Sequence, residues 1–171
     1  MFFPHIPGLL QANPLKSTPP IRSVLVLCVG NHCRAPIAEG LLRAALSPAI
    51  QVGSAGLKAL VDCPAAPEAA RIMREHGHDI SSHRGRQMTP ELAMGADLIL
   101  VMDANQKEWC TQLVPAARGR IFLLGHWLST PPLEIEDPFG HGPEAFSRVY
   151  KDIHQSVSAW LPHLHSKQRS A

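Results

Sequence analysis

An excess of charge of either sign is missing from this chain: 16 Lys and Arg stand against 14 Asp and Glu, a formal net charge of +2 over 171 residues. A balance this close supplies no basic face for a polyanion, so no nucleic-acid partner is expected, and the ten histidines are scattered rather than clustered. Long apolar runs are also missing. Met1, Phe2 and Phe3 open the chain, but Pro4, Pro7, Pro14, Pro19 and Pro20 interrupt the first twenty residues and no basic stretch precedes them. Neither a signal peptide nor membrane insertion is expected from that pattern. Cysteine is sparse, with four residues, which fits a reducing, cytoplasmic setting better than a disulfide framework. No internal repeat or low-complexity tract is present. Residues 1–20 read as a Pro-rich irregular extension, 21–165 as a single domain of ordinary size, and 166–171 as a C-terminal tail.

What the chain does have is Val24-Leu25-Val26-Leu27-Cys28-Val29-Gly30-Asn31-His32-Cys33-Arg34-Ala35-Pro36, an apolar strand that delivers a cysteine to a short loop closed by an arginine. The spacing is C-x5-R. A loop of this size can turn its backbone N–H groups, from Val29 through Arg34, around an anion. Pro36 sets the φ of a first helical turn, and the apolar residues from Ile37 to Leu46 recur at helical spacing, so the loop opens onto a helix N-terminus with its partial positive charge. That field also favours a thiolate over a thiol. Arg34 offers a planar fork to two phosphoryl oxygens, Gly30 permits close backbone approach, and Asn31 tolerates the left-handed conformation that a tight anion loop requires. The pattern supports nucleophilic attack by Cys28 on phosphorus, with the loop amides and Arg34 holding the equatorial oxygens. A strand-end cysteine is otherwise ordinary buried filler. A metal site built on Cys28 and Cys33 is the weaker reading, because no second ligand pair comes later at finger-like spacing; no metal or other cofactor is expected.

Strand-like and helical stretches alternate along the rest of the chain, the order that builds a parallel sheet flanked by helices. Strands are expected near 22–28, 50–54, 97–102 and 120–124, and helices near 36–46, 65–77, 90–94, 104–113 and 143–161. Asp103 reads as an N-cap, with Gln106 three residues on completing a capping box. The fold expected is therefore α/β, an open four-stranded parallel sheet flanked by helices. In such a sheet ligands sit outside the carboxyl ends of the strands, where Cys28 falls.

The segment C-V-G-N-H-C-R-A-P-I-A-E resembles the signature loop of the low-molecular-weight protein-tyrosine phosphatases, in their bacterial form. Further matches occur in order down the chain: Ser54-Ala55-Gly56, the Ser82-to-Gln87 segment, Met102-Asp103, Glu136-Asp137-Pro138-Phe139-Gly140, and Val149-Tyr150. The resemblance spans residues 21–162. It implies a phosphotyrosine protein phosphatase that works through a phosphocysteine, with Cys28 as nucleophile, Arg34 holding phosphate, and Asp137 as the acid that protonates the leaving group and then activates water. Taken alone, Asp before Pro is also an ordinary turn starter. The resemblance further implies that Asn31, Ser54 and His83 hydrogen-bond one another beneath the loop, and that His32, Leu60 and Phe139 wall the substrate pocket. Cys33 is either a partner that traps Cys28 in a reversible disulfide or plain loop filler. The tail from Asp137 to Tyr150 looks most like relatives that act on tyrosine autokinases of exopolysaccharide export, which makes such a kinase the candidate substrate protein.

Two positions depart from the family pattern. Ala35 stands where a Ser or Thr usually comes after the arginine, so a hydroxyl that would hydrogen-bond the Cys28 sulfur is missing and slow breakdown of the phosphocysteine is expected. His32 stands where tyrosine-specific relatives carry an apolar wall, which leaves phosphoarginine open as an alternative substrate. An arsenate reductase on the same fold would need two closely spaced extra cysteines, and Cys63 and Cys110 are far apart in sequence. A phosphate-binding protein with little turnover is the reading from outside the enzymes.

Overall fold

The computed structural model describes residues 19–130 and 133–165. Four strands, β1 (Ser23–Cys28), β2 (Gln51–Gly56), β3 (Leu98–Val101) and β4 (Ile121–Leu123), form one all-parallel sheet in the order β2-β1-β3-β4. Successive side chains of β1 point to opposite faces. Val24, Val26 and Cys28 therefore join the core beneath helices α1 (Arg34–Ala45), α2 (Pro67–Glu75) and α5 (Gly142–His165). Leu25 and Leu27 join the second core, beneath α3 (Pro90–Gly95) and α4 (Ala104–Leu113). Burial on both faces is why β1 reads as an unbroken apolar run. It also aims Cys28 toward the side from which α1 departs.

The sheet's two edges end differently. On β2 the carbonyl of Val52 accepts from Arg43 Nε at 3.0 Å and Nη2 at 2.7 Å, and that of Ser54 accepts from Arg86 Nε at 2.8 Å. The other edge, β4, is three residues long, and the Leu124 carbonyl just beyond it accepts from Trp160 Nε1 at 2.7 Å.

The expected elements are all present, with five instructive differences. Helix α1 begins at Arg34, so Pro36 is its third residue and not its first. The first helical N–H groups lack intrahelical partners in any case, so proline is tolerated there. The start is set by Cys33, whose backbone (φ −115°, ψ −75°) closes the loop without any side-chain cap. At the far end of the chain, α5 runs through Pro162 to His165, because Trp160 and Leu164 are buried on either side of the proline and their packing offsets one lost backbone bond. The Asp103 cap forms, with Oδ1 accepting from Gln106 N at 2.8 Å, but the expected return bond goes one residue astray: Gln106 Oε1 accepts from Met102 N at 3.1 Å.

A short 3-10 turn over Pro115–Arg120 was not expected. β2 runs on to Gly56 because the Gly56 N–H and carbonyl both pair with the 86–88 segment. The N-terminal extension, apart from Pro19 and Pro20, and the tail lie outside the described residues. Among the described residues, no helix is long and apolar enough to cross a membrane.

Candidate active site

Five successive carbonyls define the loop after β1. The carbonyl of Cys28 accepts from Leu57 N at 3.0 Å, that of Val29 from Lys58 N at 2.9 Å and that of Gly30 from Leu60 N at 2.9 Å. The Asn31 carbonyl accepts from His83 Nε2 at 2.8 Å, and the His32 carbonyl from Ala66 N at 2.8 Å. Each peptide unit is planar and trans, so a carbonyl fixed outward turns its N–H the other way. The amides of the loop therefore face its centre, above which the uncapped start of α1 adds its own partial positive charge. Such an arrangement of inward amides has the geometry of an anion nest.

Beneath the loop lies a polar layer. Asn31 adopts φ +52°, the left-handed conformation anticipated for it. Its Nδ2 donates to Ser54 Oγ at 2.9 Å and its Oδ1 accepts from Arg86 N at 2.9 Å. Ser54 Oγ in turn donates to Glu39 Oε2, which lies 3.9 Å from His83 Nδ1. Asn31 thus bonds both of the other members of the expected trio, through its side chain to Ser54 and through its carbonyl to His83, and Glu39 accepts from Ser54 and lies beside His83. Glu39 was missed from sequence. The only local signal for it is the i,i+4 ion pair with Arg43, at 2.8 Å, which reads as routine helix surface chemistry.

Arg34 is 4% exposed and has three anchors. Nη1 donates to the Ile135 carbonyl at 2.9 Å and lies 3.6 Å from Asp103 Oδ2; Nη2 lies 3.2 Å from Asp137 Oδ2. Asp137 Oδ1 also accepts from Phe139 N at 3.1 Å, so the turn expected of an Asp-Pro pair and the approach to Arg34 coexist in one side chain. The Ile135 carbonyl and Asp103 were not anticipated as partners of Arg34.

Cys28, Arg34 and Asp137 line a common cavity of about 320 Å³, together with Val29, Gly30, His32, Cys33, Leu60 and Phe139. Leu60 is 44% exposed and Phe139 63%, so both stand as rim walls rather than core. His32 Nδ1 donates to the Pro64 carbonyl at 2.9 Å, and its ring meets Phe139 edge-on at 6.1 Å between centroids. The imidazole is therefore pinned as a wall between loop and rim. Burial first, then the charges of Asp137 and Cys28, push the Cys33 thiol up to about 12. Ala35 is fully buried behind the loop. Cys110 is a buried residue of α4 itself and Cys63 is partly exposed; neither lines the cavity. Among the described residues no group of three or more His, Cys, Asp or Glu could hold a metal ion.

Comparison with known proteins fits this geometry. The model of the low molecular weight phosphotyrosine protein phosphatase family matches residues 23–170. The probable low molecular weight protein-tyrosine-phosphatase EpsP of Ralstonia nicotianae is 43% identical over 144 residues, covering 84% of this chain and 97% of the relative. Among solved structures, the tyrosine phosphatase Wzb of Escherichia coli K30, in complex with sulphate, superimposes with a TM-score of 0.80 at 42% identity, over 84% of this chain and 99% of its own. The YwlE arginine phosphatase of Geobacillus stearothermophilus also superimposes with a TM-score of 0.80, at 28% identity over 86% of this chain and 95% of its own. With nearly the whole domain matched by the family model and by relatives at this identity, the chain belongs to the low molecular weight phosphotyrosine protein phosphatase family.

Proposed function

We propose that this protein hydrolyses phosphotyrosine in proteins by double displacement through a phosphocysteine on Cys28. The observation that carries the reading is the run of five outward carbonyls around Cys28, which leaves an inward ring of amides for a phosphoryl group. In the first step the Cys28 Sγ–P bond forms as the P–O bond to the aryl group breaks, while the loop amides and Arg34 hold the equatorial oxygens. The departing phenolate takes a proton from Asp137, which must leave Arg34 to deliver it. In the second step water attacks phosphorus, the S–P bond breaks, Asp137 takes the proton from water, and inorganic phosphate departs. Val29, Gly30, Asn31, His32 and Cys33 contribute the cradle; Ser54 and His83 keep it in shape.

Leu60 and Phe139 flank the mouth as two apolar walls and His32 adds a third planar one, a fit for the flat ring of tyrosine. The substrate protein is a bacterial tyrosine autokinase of exopolysaccharide export, met in the cytoplasm; the support is the likeness of the 137–150 segment to relatives of that kind. The deciding experiment measures metal-free hydrolysis of p-nitrophenyl phosphate, a phosphotyrosine peptide and a phosphoarginine peptide by the protein and by Cys28→Ser. Turnover lost in the Ser variant, with the tyrosine peptide preferred, is expected. Preference for the arginine peptide moves the assignment to phosphoarginine, and phosphate binding without hydrolysis moves it to a binding protein.

A further inference from the structure

The buried Arg34 guanidinium serves two anions that cannot both have it. Asp137 occupies Nη2 at 3.2 Å, yet the phosphoryl group needs that fork, and Asp137 must be released and protonated to act as an acid. A carboxylate oxygen engaged with the guanidinium at that distance is not free to reach the leaving group. On the other side of the same guanidinium stands Asp103, with Oδ2 3.6 Å from Nη1.

Asp103 is fixed more firmly than a helix cap requires. Oδ1 takes the capping bond from Gln106 N at 2.8 Å, while Oδ2 accepts from Gln106 Nε2 at 3.1 Å. Gln106 is itself 2% exposed and anchored through Met102 N. Capping alone would be served as well by Asn or Ser. Only a carboxylate places a second negative charge against Arg34. We propose that Asp103, locked by Gln106, is a positioning residue that shares the charge of Arg34 and holds it against the Ile135 carbonyl, so that Asp137 detaches when the phosphoryl group arrives. The inference rests on the phosphatase reading above.

Asp103→Asn and Asp103→Ser both keep an N-capping oxygen and remove the charge. They are compared with the unaltered protein, with Asp137→Asn and with Cys28→Ser, using phenyl phosphate, whose leaving group needs a proton, and p-nitrophenyl phosphate, whose leaving group needs it far less. Both Asp103 variants still unfold in one cooperative transition, inhibition by inorganic phosphate does not weaken, and kcat/KM for phenyl phosphate falls about tenfold more than that for p-nitrophenyl phosphate. Asp137→Asn shows the same selective loss. An unchanged ratio between the two substrates, or an equal loss on both, overturns the role of Asp103. The phosphatase reading fails separately, through absent hydrolysis in the unaltered protein or through activity that survives Cys28→Ser.

Discussion

Asn31 Nδ2 reaches Ser54 Oγ at 2.9 Å from a backbone held at φ +52°. One residue thereby sets both the turn of the loop and its floor. Asn31→Ala removes the donor to Ser54 and the acceptor of Arg86 N, and leaves alanine in the left-handed region. The expected loss of stability is about 2–4 kcal/mol, from unpaired buried groups and left-handed strain together. Urea unfolding measures it, and inhibition by inorganic phosphate weakens in the same variant.

Ala35 is buried at the second position of α1, directly behind the cysteine loop. Ala35→Ser returns a hydroxyl where the family usually has one, and a hydrogen bond to a charged sulfur is worth roughly 1.5–3 kcal/mol. Breakdown of the phosphocysteine should accelerate by about tenfold or more. Pre-steady-state release of p-nitrophenol shows a burst in the natural protein that shrinks in the variant. An unchanged burst and rate would remove Ala35 from the account.

With its thiol pushed up to about 12, chiefly by burial, Cys33 stays protonated near neutral pH. Iodoacetamide at pH 7.5 should therefore modify Cys28 and spare Cys33 in the folded protein, as fragment masses will report. The folded state holds the Cys33 proton more tightly than the unfolded chain, so stability is intact below about pH 9 and declines as pH rises from 9.0 toward about 12. Cys33→Ala flattens that alkaline decline in denaturant titrations.

Gly85 has no room for a side chain: a Cβ there would lie 2.2 Å from the Leu60 carbonyl oxygen and 3.2 Å from its carbon. The same glycine bonds Cys63 O and Asp62 N, at 2.8 Å each, so the clash falls on backbone held at both ends. Gly85→Ala should cost about 1–3 kcal/mol by overpacking. Because Leu60 is a wall of the cavity, KM for aryl phosphates should rise as well. An alanine variant with unaltered KM would show that this wall does not touch the substrate.

Local features of the chain were legible where one residue or one short pattern decides the outcome. β1 is buried on both faces and reads as one apolar run; Asp103 caps α4 by bonding three residues ahead; Asn31 is of a type that tolerates the positive φ it adopts. What escaped was decided by distant chain. The bond from Arg34 to the Ile135 carbonyl spans 101 residues, and nothing near either position announces it. Glu39 looks like an exposed helix acid until β2 brings Ser54 to it. Pro162 reads as a helix stop until Trp160 and Leu164 are seen buried on both sides of it. The start of α1 moved for a similar reason, since closure of the loop at Cys33, not the proline, fixes it.

The arginine-sealed edge of β2 also bears on how a protein substrate can be met. Arg43 and Arg86 occupy the carbonyls that an incoming strand would need, and β4 is too short to template one. Partners are thus denied recognition by strand addition. A phosphorylated protein must present its modified residue as a projecting side chain, on a loop or a loose tail, and slide it into the cavity end-on. The same closure guards concentrated protein against edge-to-edge pairing through β2.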